Sequence, residues 1–226
     1  MNYEQLLDVL RQNSDAKYKQ FNEPIVNGNV PLIGVRLPFL RKLSKQITLE
    51  EALSYPIHSF LEVDTIVGIV VSKAKLPFDE KAGLLVDFAS TIENWSVCDC
   101  NVVKVGRAES RQYFDFFVGL VCSDKPFVCR YGVVSLMSNY LDDEHITAVF
   151  SALKSISIRG EYYVDMAVAW LLATAMAKCR NQTMDYLCGE GRLVVGEFAY
   201  NKALQKMRDS FRVSAEDKAR TYSMKR

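Results

Sequence analysis

Apolar residues recur along this chain with the spacing of α-helices almost from end to end. Leu6, Leu7 and Leu10 form one such stripe and Leu141, Ile146, Val149, Phe150 and Leu153 another, while the strict alternation of a half-buried strand is hard to find. That periodicity restricts the chain to an all-α fold. Turn and helix-start signals fall at short intervals, at Asn13-Ser14-Asp15, Asn27-Gly28-Asn29, Tyr55-Pro56, Leu76-Pro77, Glu93-Asn94, Ser123-Asp124-Lys125-Pro126, Arg159-Gly160, Gly189-Glu190-Gly191 and Val213-Ser214. They divide the chain into short helices.

Paired, these helices give units that open near His58, Asn94, Pro126, Gly160 and Gly196, a spacing of about 30 to 40 residues that suits a solenoid of helical hairpins. No strict residue repeat accompanies the spacing. The expectation is therefore a degenerate HEAT-like α-α superhelix, with an irregular orthogonal bundle as the alternative. Nothing resembling a linker interrupts residues 1–226, which are read as one domain. Asn22 to Pro31, with Pro24, Pro31 and Asn27-Gly28-Asn29, is too rich in breakers to be helical and is expected to be a loop. A helix follows it, with Pro38 in the first turn and Arg41 and Lys42 after it.

Composition narrows the function. Of 226 residues, 49% are hydrophobic and 24% charged, which excludes a disordered chain, and 28 basic against 27 acidic side chains leave a formal charge of only +1. Any polyanion must then be met by a local patch. The longest mostly apolar run, Met166 to Ala177, is shorter than the roughly 18 residues of a bilayer span, and no basic-then-apolar leader opens the chain, so the expected location is cytoplasmic. Six cysteines include one close pair, Cys98 and Cys100, and the only histidines are His58 and His145 in unrelated segments. A tetrahedral metal site needs four convergent ligands, so no metal is expected, and the cysteines read as buried small hydrophobes. No Walker loop, HExxH or GxSxG pattern is present.

A few residues carry possible chemistry. Asn94 is a good N-cap, and a helix starting there sets Trp95 and Asp99 one turn apart on one face, either a carboxylate held beside an indole or an unrelated core Trp and surface Asp. Arg130 lies on an apolar stripe between Phe127 and Val134, which fits an inter-helix ion pair or an arginine reaching for an anion. The helix around Trp170 is apolar on almost all sides, so Trp170 is most simply core. From Tyr200 to Arg226 eight basic residues face three acidic ones, a run that is either a solvated face or a track for a nucleic-acid backbone.

Together these segments resemble the AlkD-like DNA alkylation repair family, HEAT-like repeat DNA glycosylases for N-alkylated purines, over most of the chain. Ile33-Gly34-Val35-Arg36-Leu37-Pro38 with Leu40-Arg41-Lys42-Leu43 is similar to the family's GVR-x-P-x-x-R segment. Trp95 and Asp99 match its tryptophan and catalytic aspartate, Arg130 its DNA-facing arginine and Trp170 its second tryptophan, while Phe198 to Val213 resembles one branch of the family. The resemblance implies a concave surface that grips alkylated duplex DNA as a monomer, without a cofactor and without a pocket around the base. In that reading Asp99, Trp95 and Trp170 are catalytic, and Arg130 holds a phosphate. The basic residues Arg36, Arg41, Lys42, Lys202, Lys206, Arg208 and Arg212 are read as further phosphate contacts. Asp165 departs from the basic residue of many relatives, implying a lost phosphate contact and a charge that repels DNA. The alternative is a helical-repeat module that binds DNA structure or a protein partner without excision.

Overall fold

The computed structural model describes residues 1–26 and 28–226, and among these it contains fifteen α-helices, two short 3-10 turns and no strand. The all-helical expectation holds, and helices begin at Leu61, Trp95, Pro126, Tyr162 and Glu197, close to each of the five expected openings. The chain divides into two compact units, Met1–Val103 and Lys104–Arg226.

The first unit holds α1 (Tyr3–Gln12), α2 (Ala16–Val26), α3 (Leu37–Leu43), α4 (Leu49–Ser54), α5 (Leu61–Lys73), α6 (Phe78–Thr91) and α7 (Trp95–Cys100). Its centre is α5, in which every residue from Leu61 to Val71 is buried and which packs against α3, α4, α6 and α7. Local signals set the ends of its neighbours. Asn2 and Thr48 each form a capping box, Pro38 sits in the first turn of α3, and Asn94 caps α7 by accepting from the Ser96 N–H at 2.8 Å.

The loop expected over Asn22 to Pro31 is shorter than that. Helix α2 continues through Pro24 to Val26, Asn27 lies outside the described residues, and the chain is non-helical from Gly28 to Pro31. Pro24 forfeits the N–H bond back to Gln20, but only two helical residues follow it, so little further structure depends on the lost bond. Both ends of α2 are also tied down. Asp15 accepts from the Tyr18 N–H at 3.0 Å, and the Asn94 side-chain amide donates to the Val26 carbonyl at 3.0 Å. A partner 68 residues away in sequence thus supplies the helix stop that the proline was expected to impose.

The second unit holds α8 (Ser110–Val121), α9 (Pro126–Asn139), α10 (Ile146–Leu153), α11 (Tyr162–Lys178), α12 (Arg180–Cys188), α13 (Gly191–Val194), α14 (Glu197–Asp209) and α15 (Ala215–Met224). Helices α9, α11 and α14 pack side by side as one row, while α10 touches α8 and α12 in a second row. That two-row construction is what consecutive helical hairpins produce when they stack. Gly132 permits a close approach between α9 and α8, since a Cβ there would lie 2.8 Å from the Val121 nitrogen. Ten consecutive residues of α9, Val128 to Met137, are buried.

The cysteines divide unequally. Cys98, Cys129 and Cys179 are buried as expected, and burial pushes the Cys129 thiol up to about 12, but Cys122 and Cys188 are exposed. Each exposed cysteine sits at a helix C-terminus, where the packed face has ended.

Candidate functional site

In the first unit, one buried carboxylate organises the segment that precedes α3. Glu62, 2% exposed, accepts three backbone N–H groups: Gly34 at 2.7 Å and Val35 at 3.0 Å on Oε1, and Ile33 at 2.9 Å on Oε2. A non-helical stretch has no internal acceptors for its N–H groups, and a carboxylate supplies several at once. Gly34 completes the bend. Its φ of 103° is left-handed, and a Cβ would lie 2.8 Å from the Lys19 Cβ.

This bend aims the basic residues that follow. Arg36 forms an ion pair with Asp15 at 2.8 Å and lies 4.8 Å from the centre of the Tyr18 ring, with its side chain 61% exposed. The guanidinium and the backbone N–H of Tyr18 hold the Asp15 carboxyl below the usual carboxylate range, the backbone bond being the larger cause. Arg41 and Lys42 are exposed on α3. Burial raises the Cys100 thiol, Arg41 opposes that rise and Asp99 adds to it, so both charges act on one sulfur at the end of α7. Burial also raises the Tyr18 phenol, aided by Glu62 and opposed by Arg36.

Trp95 and Asp99 are both half-buried on α7, one turn apart. The helix is anchored from inside. Val97 and Cys98 are buried against the core, and buried Asn94 bonds at once to the start of α7 and the end of α2. What results is a carboxylate and an indole on a fixed scaffold, beside an arginine whose charge reaches the same end of the helix.

The second unit holds Arg130 and Trp170. Arg130 is 5% exposed and its Nη1 donates to the Tyr163 carbonyl at 2.6 Å, from α9 to α11. The guanidinium therefore bridges helices through a main-chain carbonyl. Trp170, read as most simply core, is 40% exposed. Helix α11 is buried on nearly all sides by α9, α12 and α14, as its composition required, but Tyr162, Met166, Trp170 and Thr174 mark one open stripe at four-residue spacing.

Asp165 also departs from expectation. It is 4% exposed, accepts from the Gly160 N–H at 3.4 Å across the turn that opens α11, and has its carboxyl raised chiefly by burial. Asp165 is thus closed off from direct contact with a ligand, its carboxylate turned to the turn that opens α11 rather than displayed at the surface. Among the C-terminal basic residues, Arg212 is exposed, whereas Lys202, Lys206 and Arg208 are half-buried. Lys202 lies 5.8 Å from the Phe198 ring, and Arg208 lies 4.8 Å from the Tyr222 ring while donating to Thr221 Oγ1 at 3.2 Å.

Glu62, Asp15 and Tyr18 were not singled out from the sequence. The signal for Glu62 was present, because Glu62 and Asp64 are carboxylates inside an otherwise apolar helix, and buried charges need partners. Among the described residues no group of three or more His, Cys, Asp or Glu side chains is placed to hold a metal ion.

A comparison with protein families matches residues 6–207 to the model of the DNA alkylation repair enzymes. No curated protein and no solved structure matches the chain.

Proposed function

The chain belongs to the DNA alkylation repair enzyme family, and from that premise we propose that it is a DNA glycosylase that excises cationic N-alkylated purines, such as 3-methyladenine or 7-methylguanine, from duplex DNA. The observation that carries this reading is Asp99, half-buried on a helix pinned by Asn94 and one turn from Trp95.

Alkylation at purine N3 or N7 makes the base a positively charged leaving group. When the N-glycosidic bond breaks, its electron pair neutralises the base and leaves an oxocarbenium-like sugar, which a carboxylate stabilises as in glycoside hydrolysis. Water then bonds to the sugar carbon and gives up a proton, for which Asp99 is the acceptor. At an effective dielectric of 20, opposite charges about 4 Å apart attract by roughly 4 kcal/mol, or about a thousandfold in rate. That suffices for a bond already weakened by alkylation and not for an intact nucleoside.

The indole of Trp95, one turn from Asp99, is assigned to the sugar, since an aromatic face attracts a developing cation, and exposed Trp170 is assigned to the DNA backbone. Arg41, Lys42 and Arg212 are exposed cations suited to phosphate contacts, which orient the duplex without reading its sequence. Arg130 is assigned a supporting role through Tyr163.

The test is release of 3-methyladenine and 7-methylguanine from methylated duplex DNA by the full chain and by Asp99→Asn. The expected result is release by the wild type and a few hundred- to a thousandfold slower single-turnover rate for Asp99→Asn, with the dissociation constant nearly unchanged. Equal rates would remove Asp99 from the mechanism. A wild type that binds duplex DNA but releases no base would assign the chain to a non-excising DNA-binding role.

A further inference from the structure

The open stripe of α11 meets a groove on α14 where the family resemblance offered Lys202 and Arg208 as duplex contacts but where the glycosylase reading leaves the exposed rings unused. Tyr162 is 55% exposed and Phe198 42% exposed, their ring centres are 6.0 Å apart, and behind them Tyr163 and Phe127 continue the cluster inward. Rings packed on one side and open on the other are costly to leave in water unless something covers them. Beyond Phe198 a groove of about 510 Å³, open to solvent, runs along α14, and its charged walls are Lys202, Arg208 and Lys225 against Glu197 alone.

Two of these cations are held in place. Lys202 lies over the Phe198 ring and donates to Gln205 Oε1 at 3.1 Å, and Arg208 is fixed between Thr221 and the Tyr222 ring. We propose that this face of α11 and α14 is a platform for unpaired, single-stranded nucleic acid, with Tyr162 and Phe198 stacking a base and Lys202, Arg208 and Lys225 following the backbone.

Charge and ring chemistry select that occupant together. Three cations against one carboxylate call for an anion, and a phosphate backbone offers one at every residue. An exposed aromatic pair adjoining those cations calls for a flat π surface at the same spacing, which an unstacked base provides. A duplex keeps its base faces covered, and an acidic peptide would use the cations and leave the rings idle. The platform does not depend on base excision.

The experiment is fluorescence anisotropy of a labelled oligothymidine with the full chain, beside a blunt duplex of equal length and poly-glutamate. The wild type is expected to prefer the oligothymidine. Tyr162→Ala with Phe198→Ala should weaken that binding by roughly 5- to 150-fold, and Phe198→Trp should retain it, because loss of one stacked base has about that effect. Lys202→Gln with Lys225→Gln should make the log-log salt dependence shallower by about 1.4, at roughly 0.7 per phosphate released from a single strand. The helical circular dichroism of each variant should match the wild type, since Tyr162, Phe198 and Lys225 are exposed and Lys202 is half-buried at the groove's edge. Failure to bind oligothymidine, equal binding by the aromatic variants, or displacement by poly-glutamate would each overturn the proposal. A chain that excises nothing but binds oligothymidine in this way would refute the glycosylase reading and leave the platform standing.

Discussion

Replacing Glu62 by Gln keeps the side-chain volume and one carbonyl oxygen but removes the charge and converts one acceptor into a donor. The best fit sets the amide oxygen where Oε1 stood, so the Gly34 and Val35 N–H groups keep a partner while the Ile33 N–H, which bonded to Oε2, faces an NH2 group. Each retained bond falls from charge-assisted to neutral strength, a loss of about 1 kcal/mol, and the half-buried Ile33 N–H left unsatisfied adds a part of the roughly 1–3 kcal/mol that a fully buried one would cost. A neutral amide is cheaper to bury than a carboxylate, which offsets part of this. The net loss is then about 2–4 kcal/mol, or a melting midpoint lower by roughly 4–16 °C in a chain of this size. Urea unfolding at neutral pH with a calorimetric scan measures both. The same substitution frees the bend that sets Arg36, so the salt dependence of duplex binding should change with stability. A loss below about 0.5 kcal/mol, the range of ordinary surface substitutions, would refute the view that this carboxylate holds the segment.

Arg130→Ala should lower stability by about 2–4 kcal/mol, because it empties a packed site and strips the half-buried Tyr163 carbonyl of its donor; unchanged urea unfolding with weaker duplex binding would make the guanidinium a phosphate contact instead. Asp165→Asn preserves an acceptor for the Gly160 N–H and removes a carboxyl whose pKa burial has raised. A raised carboxylate pKa costs the folded state stability above that pKa, so the melting midpoint at neutral pH should hold or rise, with duplex affinity unchanged. Asp217 is held below the usual carboxylate range first by Arg180, which it meets through two bonds of 2.6 and 2.5 Å. Its contribution is full above the unfolded-state pKa and lost as pH falls through the lower folded value, so Asp217→Asn should destabilise the chain at neutral pH and flatten its acid unfolding curve. Gly34→Ala should destabilise through both its left-handed φ and the contact with Lys19, and equal stability by urea titration would show that the bend relaxes without cost.

Helix content and most helix starts were legible because they are decided within a few residues. Asn94 caps α7, Pro38 opens α3 and the turn at Gly160 precedes α11 whatever packs around them, and the same locality made Trp95 and Asp99 neighbours on one face. What the sequence left open depended on partners far along the chain. Pro24 stays within a helix whose last carbonyl, at Val26, is held by Asn94, and the run before α3 takes its shape from Glu62, 27 to 29 residues later. Trp170 and Arg130 show the limit most plainly, since both sit on helices whose composition is apolar nearly all round. Periodicity gives the faces of such a helix but not which face its neighbours cover. Only the packing of α9, α11 and α14 left Trp170 open, sealed Arg130 against Tyr163 and drew Asp165 inside, because burial is a property of the assembled helices and not of any one of them.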